Sequence, residues 1–163
     1  MPPPNSSCGL RRERVEHARL DLRSGPGIGR GLLLLSSVGI TAAGLTIMTV
    51  GMTSVFVPED LAFMGLTRPA ITAINPHLVP LIAHDRAGFG GALASFGVAM
   101  FACVWRARPS RALWQSLTIA GIAGFGTAVG VHPAIGYMSL SHLGPAVLGC
   151  IAFATGLVLV GQD

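Results

Sequence analysis

The chain has 163 residues, of which 51% are apolar and 11% are charged, and its mean hydropathy is +0.63. Soluble domains carry about 25% charged residues, so this composition excludes an ordinary soluble enzyme and is typical of a membrane protein. The net charge of +4 comes from eleven arginines that flank apolar segments, which indicates membrane topology and excludes a nucleic-acid-binding surface.

Residues 1–30 are rich in Pro, Arg, Ser and Gly and contain no apolar run. Six arginines and three acidic residues lie there, and Gly25-Pro26-Gly27 is predicted to end any short helix in this segment. We therefore predict that residues 1–30 form a disordered, basic tail in the cytoplasm.

Four apolar segments follow, at residues 31–51, 78–105, 112–132 and 143–160. Each can cross a hydrocarbon core of about 30 Å, which takes about 20 helical residues. A cleaved signal peptide is the rival interpretation of the first segment, but its apolar run exceeds the usual 7–15 residues. Residues 31–163 are thus predicted to form an all-α domain, an antiparallel bundle of four transmembrane helices.

The arginines also predict how this bundle is oriented. They concentrate before the first span and between the second and third spans. The positive-inside rule then places both termini in the cytoplasm of a multi-pass protein of the inner (plasma) membrane.

The longest connection, residues 52–77, contains signals for two short helices. Pro58-Glu59-Asp60 suits a first helical turn, where proline and acidic residues are favoured. Thr67 can cap a second helix that Asn75-Pro76 would end. Several apolar residues lie between these signals, so we expect a short amphipathic loop on the outer membrane surface.

The spans themselves carry small residues at helical spacing. The second span contains Gly88, Gly90, Gly91, Ala94 and Gly97, and the third contains Gly126-x-x-x-Gly130. Such patterns allow helices to approach closely within the membrane. We expect these glycines to pack helices against one another.

Ionisable and polar residues concentrate on the predicted outer side. Ionisable groups near lipid are costly, so a concentration of them is a candidate site. This set of residues consists of Glu59, Asp60, His77, His84, Asp85, Arg86, His132, Tyr137 and His142. Pro133 is predicted to end the third span at His132, so a ten-residue outer turn follows that span.

This polar set has a structural interpretation. Either Asp85 or Glu59 would pair with Arg86, and His84 would hydrogen-bond to the long outer loop and hold it over the bundle. Buried charges need partners, so such networks arise without catalysis. No set of catalytic residues can be assigned.

The histidines also have a cofactor interpretation. His84 opens the second span and His132 closes the third, so both would lie at similar depth on neighbouring antiparallel helices. They could hold one haem, bound non-covalently because the chain has no Cys-x-x-Cys-His motif. Zinc or copper held by His84, His132 and His142 is the other option, and the spacing does not choose between haem and a transition metal. A proton path through His84, Asp85 and Tyr137 is less favoured, because three spans lack a charged residue at mid-membrane.

Five short sequence motifs resemble those of a known family. They are Val57-Pro58-Glu59-Asp60, Asn75-Pro76-His77-Leu78-Val79-Pro80, Ala83-His84-Asp85-Arg86 with Gly90-Gly91, Gly130-Val131-His132, and Gly136-Tyr137. From Phe56 to about Gly156, about two thirds of the sequence, the chain resembles a family of uncharacterised bacterial four-helix membrane proteins.

The resemblance implies a possible partner. In some relatives this membrane module follows a dihydroorotate-dehydrogenase-like flavin domain, which is absent from this chain. The residues and the resemblance together leave two expected functions. The first is a non-enzymatic module that assembles with a membrane protein partner, or with itself as a homo-oligomer, in the lipid bilayer. The alternative is a haem- or metal-binding redox module that serves a quinone-linked flavin dehydrogenase.

Overall fold

The computed structural model describes residues 24–107 and 109–161, and these residues form six α-helices and no strand. The helices are α1 (Gly25–Met52), α2 (Pro58–Met64), α3 (Arg68–Ile74), α4 (Leu78–Arg106), α5 (Arg111–Ile135) and α6 (Leu140–Val160). The four long helices, α1, α4, α5 and α6, are long and apolar enough to cross a membrane, as predicted.

Helix α1 begins six residues before the predicted first span. The hydroxyl of Ser24 accepts a hydrogen bond from the Gly27 amide at 3.2 Å, and Pro26 lies in the first helical turn. Proline suits that turn because the missing N–H would have had no partner there. The Gly-Pro-Gly sequence therefore starts α1, while the helix that it was expected to end lies outside the described residues. Of the predicted tail, residues 25–30 are helical, and residues 1–23 lie outside the described residues.

The turn between α5 and α6 is shorter than the predicted ten residues. Helix α5 continues past Pro133 to Ile135, and it ends where Gly136 adopts a left-handed conformation with φ of 75°. The Tyr137 amide then bonds to the His132 carbonyl at 3.0 Å, which closes the helix end. Helix α6 begins at Leu140, so His142 lies in its first turn and not in a loop.

The connection between α1 and α4 forms the two predicted short helices. Helix α2 begins at Pro58, and Thr67 caps α3 by accepting a hydrogen bond from the Ala70 amide at 3.4 Å. Val55, Phe56, Ile71 and Val79 form a small buried apolar cluster that fixes this connection to the start of α4. Burial of these side chains stabilises an otherwise exposed loop.

Among the described residues, α1 lies at the centre of the bundle. It packs most extensively against α4 and next against α6, and α5 packs against α6. Helices α4 and α5 are not among the extensively packed pairs, although they are consecutive in the chain. The expectation that they are neighbouring helices is therefore wrong at the level of backbone packing.

Small residues explain why α1 and α4 approach so closely. A Cβ added at Gly51 would lie 2.7 Å from the Ala87 amide nitrogen, and one added at Gly97 would lie 2.9 Å from the Ser37 carbonyl oxygen. Gly44 and Gly90 face each other in the same way. The predicted close packing is thus confirmed for Gly90, Ala94 and Gly97, all of which are buried.

Two side chains connect the helices at the end of the bundle where α1 begins and α4 ends. The Arg30 guanidinium donates to the carbonyl oxygens of Val104, at 3.0 Å, and Trp105, at 2.7 Å, where α4 ends. The Trp114 indole N–H donates to the Leu157 carbonyl at 2.9 Å. These bonds join α1 to α4 and α5 to α6, and Arg30 also compensates the negative end of the α4 dipole.

Candidate functional site

Charged residues lie at the two ends of the bundle. At one end, where α1 and α5 finish, lie all three described acidic residues, Glu59, Asp60 and Asp85, together with Arg68 and Arg86. We call this the acidic end. At the other, which we call the basic end, the described charged residues are Arg30, Arg106 and Arg111. The candidate site lies at the acidic end.

Asp60 is the centre of this site. It is 7% exposed, and its carboxylate accepts three hydrogen bonds. Arg86 of α4 and the backbone amide of Val57 donate to Oδ2, at 2.7 and 3.1 Å, and the Tyr137 hydroxyl donates to Oδ1 at 2.9 Å. A single carboxylate thus joins the α1–α4 connection, helix α4 and the turn between α5 and α6.

The local sequence explains why Asp60, and not Glu59, occupies the centre. Asp60 is the third residue of α2, from which a carboxylate reaches back to the free amide before the helix, here that of Val57. Successive helical residues point about 100° apart. Glu59 therefore faces away from the bundle and is exposed.

The surroundings of Asp60 favour its ionised form. Burial by itself would raise the pKa of the carboxyl group. The Val57 amide, the Tyr137 hydroxyl and the Arg86 charge together outweigh burial and hold the pKa of Asp60 below its ordinary value. The site is therefore a closed ion pair at neutral pH.

Tyr137 is the second member of the site. Burial, followed by the hydrogen bond to the negatively charged Asp60, raises the pKa of Tyr137 to about 12. Its ring contacts Phe63 of α2 at a centroid distance of 4.8 Å and stacks on His132 at 6.0 Å, with 12° between the planes. The hydroxyl thus remains protonated while the ring fills the space between α2 and α5.

Two histidines complete the group that we call the Asp60 cluster: Asp60, Arg86, His132, Tyr137 and His142. His142 Nδ1 lies 3.4 Å from the Tyr137 oxygen, and its Nε2 lies 4.0 Å from Asp60 Oδ1. Because Tyr137 donates its one proton to Asp60, its oxygen can only accept from His142. His132 Nδ1 lies 2.8 Å from the Ala128 carbonyl oxygen, so this nitrogen carries the proton and donates it.

The expected partner of Arg86 is corrected by this geometry. Arg86 pairs with Asp60, not with Asp85 or Glu59, and its guanidinium carbon also lies 5.8 Å from the centre of the Phe56 ring. Asp85 lies one residue before Arg86 on α4 and so points in another direction. The predicted link between loop and bundle exists, but a different carboxylate makes it.

His84 and Asp85 lie outside the cluster. Their side chains are 85% and 72% exposed, and His84 Nδ1 contacts Asp85 Oδ1 at 3.2 Å. His84 therefore does not hold the loop over the bundle as expected. His77 is also exposed, and its amide bonds to the Asn75 side chain where α4 begins.

The metal and haem assignments stay predictions. No three His, Cys, Asp or Glu side chains among residues 24–107 and 109–161 are grouped closely enough to hold a metal ion. The set of His84, His132 and His142 is therefore not gathered in this structure. His132 and His142 both contact the Tyr137 ring, whereas His84 contacts Asp85.

The contacts define what the Asp60 cluster can do chemically. Within the described part of the chain, no buried side-chain nitrogen or oxygen lacks a hydrogen-bond partner. A carboxylate whose lone pairs are occupied by Arg86, Val57 and Tyr137 is a poor base and holds three segments together. The sequence analysis named all five members of the Asp60 cluster but did not predict that Asp60 lies at its centre. The capping signal at Pro58-Glu59-Asp60 was the available clue.

Comparisons of the chain with protein-family models, with curated proteins and with solved structures find no match. The resemblance to bacterial four-helix membrane proteins, and the flavin-enzyme partner that it implies, therefore remain predictions.

Proposed function

We propose that the chain is a non-enzymatic, integral membrane assembly module, which associates with a second copy of itself through helix α5. The Asp60 cluster serves this function by holding the acidic end closed, so that the helices present a fixed surface. The single observation that carries the proposal is the unusual exposure of α5.

Helix α5 is the least protected of the four long helices. Leu117 is the one buried residue among its 25, whereas α1 and α4 bury seven and six residues. Its most apolar stretch is also less apolar than those of the other three candidate spans. A span that is both least apolar and least buried is poorly matched to lipid, and contact with another helix would remove this mismatch.

The glycines on α5 support the same proposal. A Cβ added at Gly126 or at Gly130 would meet no atom within 4 Å, so this pair has no partner helix within the described chain. Ile119 and Ile122 are 69% and 71% exposed, and they lie on the same side of α5 as Gly126 at 3.6 residues per turn. A small-x-x-x-small pattern between bulky residues allows two helices to approach closely.

Energy transfer between donor- and acceptor-labelled full-length protein in lipid vesicles tests this function. We expect transfer above the random level, and we expect Gly126→Leu with Gly130→Leu to remove it. Gly124→Leu is the matched control, because Gly124 is equally open but lies on another side of α5. Transfer at the random level in the parent, or unchanged transfer in the double variant, would contradict the proposal.

The redox module is the second candidate, and the hydrogen bond of His132 favours it. His132 donates from Nδ1 to the Ala128 carbonyl oxygen, which leaves Nε2 as the ligating nitrogen. An absorption spectrum of the purified protein, oxidised and then reduced, tests this function. A haem band that disappears in His132→Ala, with the helical content retained, would replace the assembly proposal.

A further inference from the structure

We propose that the basic end binds the headgroups of anionic phospholipids through Arg106 and Arg111. This inference is independent of the self-association through α5. It rests on which charges at this end are already paired and which are not.

Arg30 is the paired member of the three. Its guanidinium donates to the last carbonyl oxygens of α4, at 3.0 and 2.7 Å, and so it is directed into the bundle. Those carbonyls form the negative end of the α4 dipole, and Arg30 compensates it locally. The α4 terminus therefore does not offer Arg106 a counter-charge.

Arg106 and Arg111 remain without an acidic partner in the described part of the chain. Both are exposed, and every described carboxylate lies at the acidic end, on the far side of the membrane-spanning region. The two residues close α4 and open α5, and residues 107–110 join them, of which Arg108 lies outside the described residues. The result is a concentrated positive charge that no carboxylate among the described residues neutralises.

The neighbouring aromatic residues place this charge at headgroup depth. Trp105 and Trp114 are 50% and 37% exposed, and they lie next to the turn at the ends of their helices. Tryptophan is enriched at the boundary between the hydrocarbon and the headgroups of a membrane. Arg106, directly after Trp105, then lies at the level of the lipid phosphates.

Charge complementarity selects the ligand. A guanidinium binds a phosphate group with two parallel hydrogen bonds to two of its oxygens, and an anionic lipid carries a net charge that a zwitterionic lipid lacks. Each arginine near a membrane surface contributes about 1 kcal/mol of attraction to anionic lipid, or about five-fold in affinity. Two unpaired arginines should therefore give about 25-fold.

Native mass spectrometry of the full-length protein in detergent tests the proposal, with phosphatidylglycerol and phosphatidylcholine as probes. We expect the parent to retain phosphatidylglycerol preferentially. We expect Arg106→Gln with Arg111→Gln to weaken that binding about 25-fold. The five arginines within residues 1–23 remain in every variant, so the difference reports the basic end alone.

Two control variants make the result decisive. Arg68→Gln removes an exposed arginine at the acidic end and should leave binding unchanged. Arg106→Lys with Arg111→Lys keeps both charges and should retain most of the binding, even if the glutamine variant loses stability. Equal retention of the two lipids by the parent, or parent-like binding by the glutamine variant, would overturn the proposal, as would equal losses in the lysine and glutamine variants.

Discussion

Asp60 and Tyr137 are 77 residues apart in the sequence, yet the Tyr137 hydroxyl donates a 2.9 Å hydrogen bond to the Asp60 carboxylate. This bond joins the α1–α4 connection to the turn between α5 and α6. Since α4 and α5 do not pack extensively along their length, the contact between these segments closes the bundle at the acidic end.

Replacement of Asp60 by Asn should destabilise the protein. Asparagine can still accept the Tyr137 bond, but the partly exposed Arg86 guanidinium loses its counter-charge. We expect a loss of about 1–3 kcal/mol, measured as a lower unfolding temperature in detergent. Glu59→Gln is the matched control one residue away, and it should change stability by less than about 0.5 kcal/mol because Glu59 is exposed. Equal effects of the two substitutions would remove Asp60 from the centre of the cluster.

Tyr137→Phe should remove one hydrogen bond and retain the ring contacts with Phe63 and His132. We expect a loss of about 1.5–3 kcal/mol, because the acceptor is charged. The Asp60→Asn and Tyr137→Phe effects should not add, since both residues share one bond. Additive losses in the double variant would show that the two side chains act independently.

The same pair predicts how stability depends on pH. The pKa of Asp60 is depressed in the folded state, so its contribution is present above the unfolded value near 3.8 and is lost as pH falls below it. The pKa of Tyr137 is raised from 10.0 to about 12, so its contribution is present below pH 10 and is lost as pH rises towards 12. Unfolding temperatures should therefore fall at both limits. Tyr137→Phe should reduce the fall of the unfolding temperature between pH 10 and pH 12. An unchanged fall in this variant would contradict the assignment to Tyr137.

Two neighbouring glycines on α4 should respond oppositely to alanine. At Gly90, a Cβ would overlap the Met48 backbone and lie 2.7 Å from the Gly44 carbonyl oxygen, so we expect a loss of about 1–3 kcal/mol. At Gly88, a Cβ meets nothing within 4 Å, and alanine should stabilise the helix by about 0.5–1 kcal/mol. Unfolding in detergent measures both. Similar effects at the two positions would mean that α1 and α4 are not in close contact.

Arg30→Gln should weaken the contact between α1 and α4 at the basic end. The substitution removes charge-assisted hydrogen bonds to the Val104 and Trp105 carbonyls, which should cost about 1–3 kcal/mol. Arg111→Gln is the comparison, and it should change stability by less than about 0.5 kcal/mol because Arg111 is exposed. If both variants unfold at the parent temperature, the Arg30 bonds do not contribute to stability.

Long apolar runs and the spacing of polar residues were sufficient to predict the four candidate spans and the two short helices. Each depends on short-range properties: the length of an apolar segment, proline in a first turn, or a hydroxyl at a helix start. The start of α1 was predicted too late because proline is tolerated in the first turn of a helix. The end of α5 was predicted too early because the helix continues past Pro133 and ends at Gly136, which adopts a left-handed conformation.

Only the tertiary structure determines which carboxylate pairs with Arg86 and which helices are neighbours. Proximity in the sequence favoured Asp85, but successive helical residues point in different directions, so Asp85 faces away from Arg86. Helix α2 instead places Asp60 beside the Arg86 guanidinium. The glycines of α4 bring α1 and α4 together, whereas those at 126 and 130 remain uncovered in the described chain. A residue's type and spacing determine what it can bind, but its partner is determined by which surfaces pack, and that depends on the whole bundle.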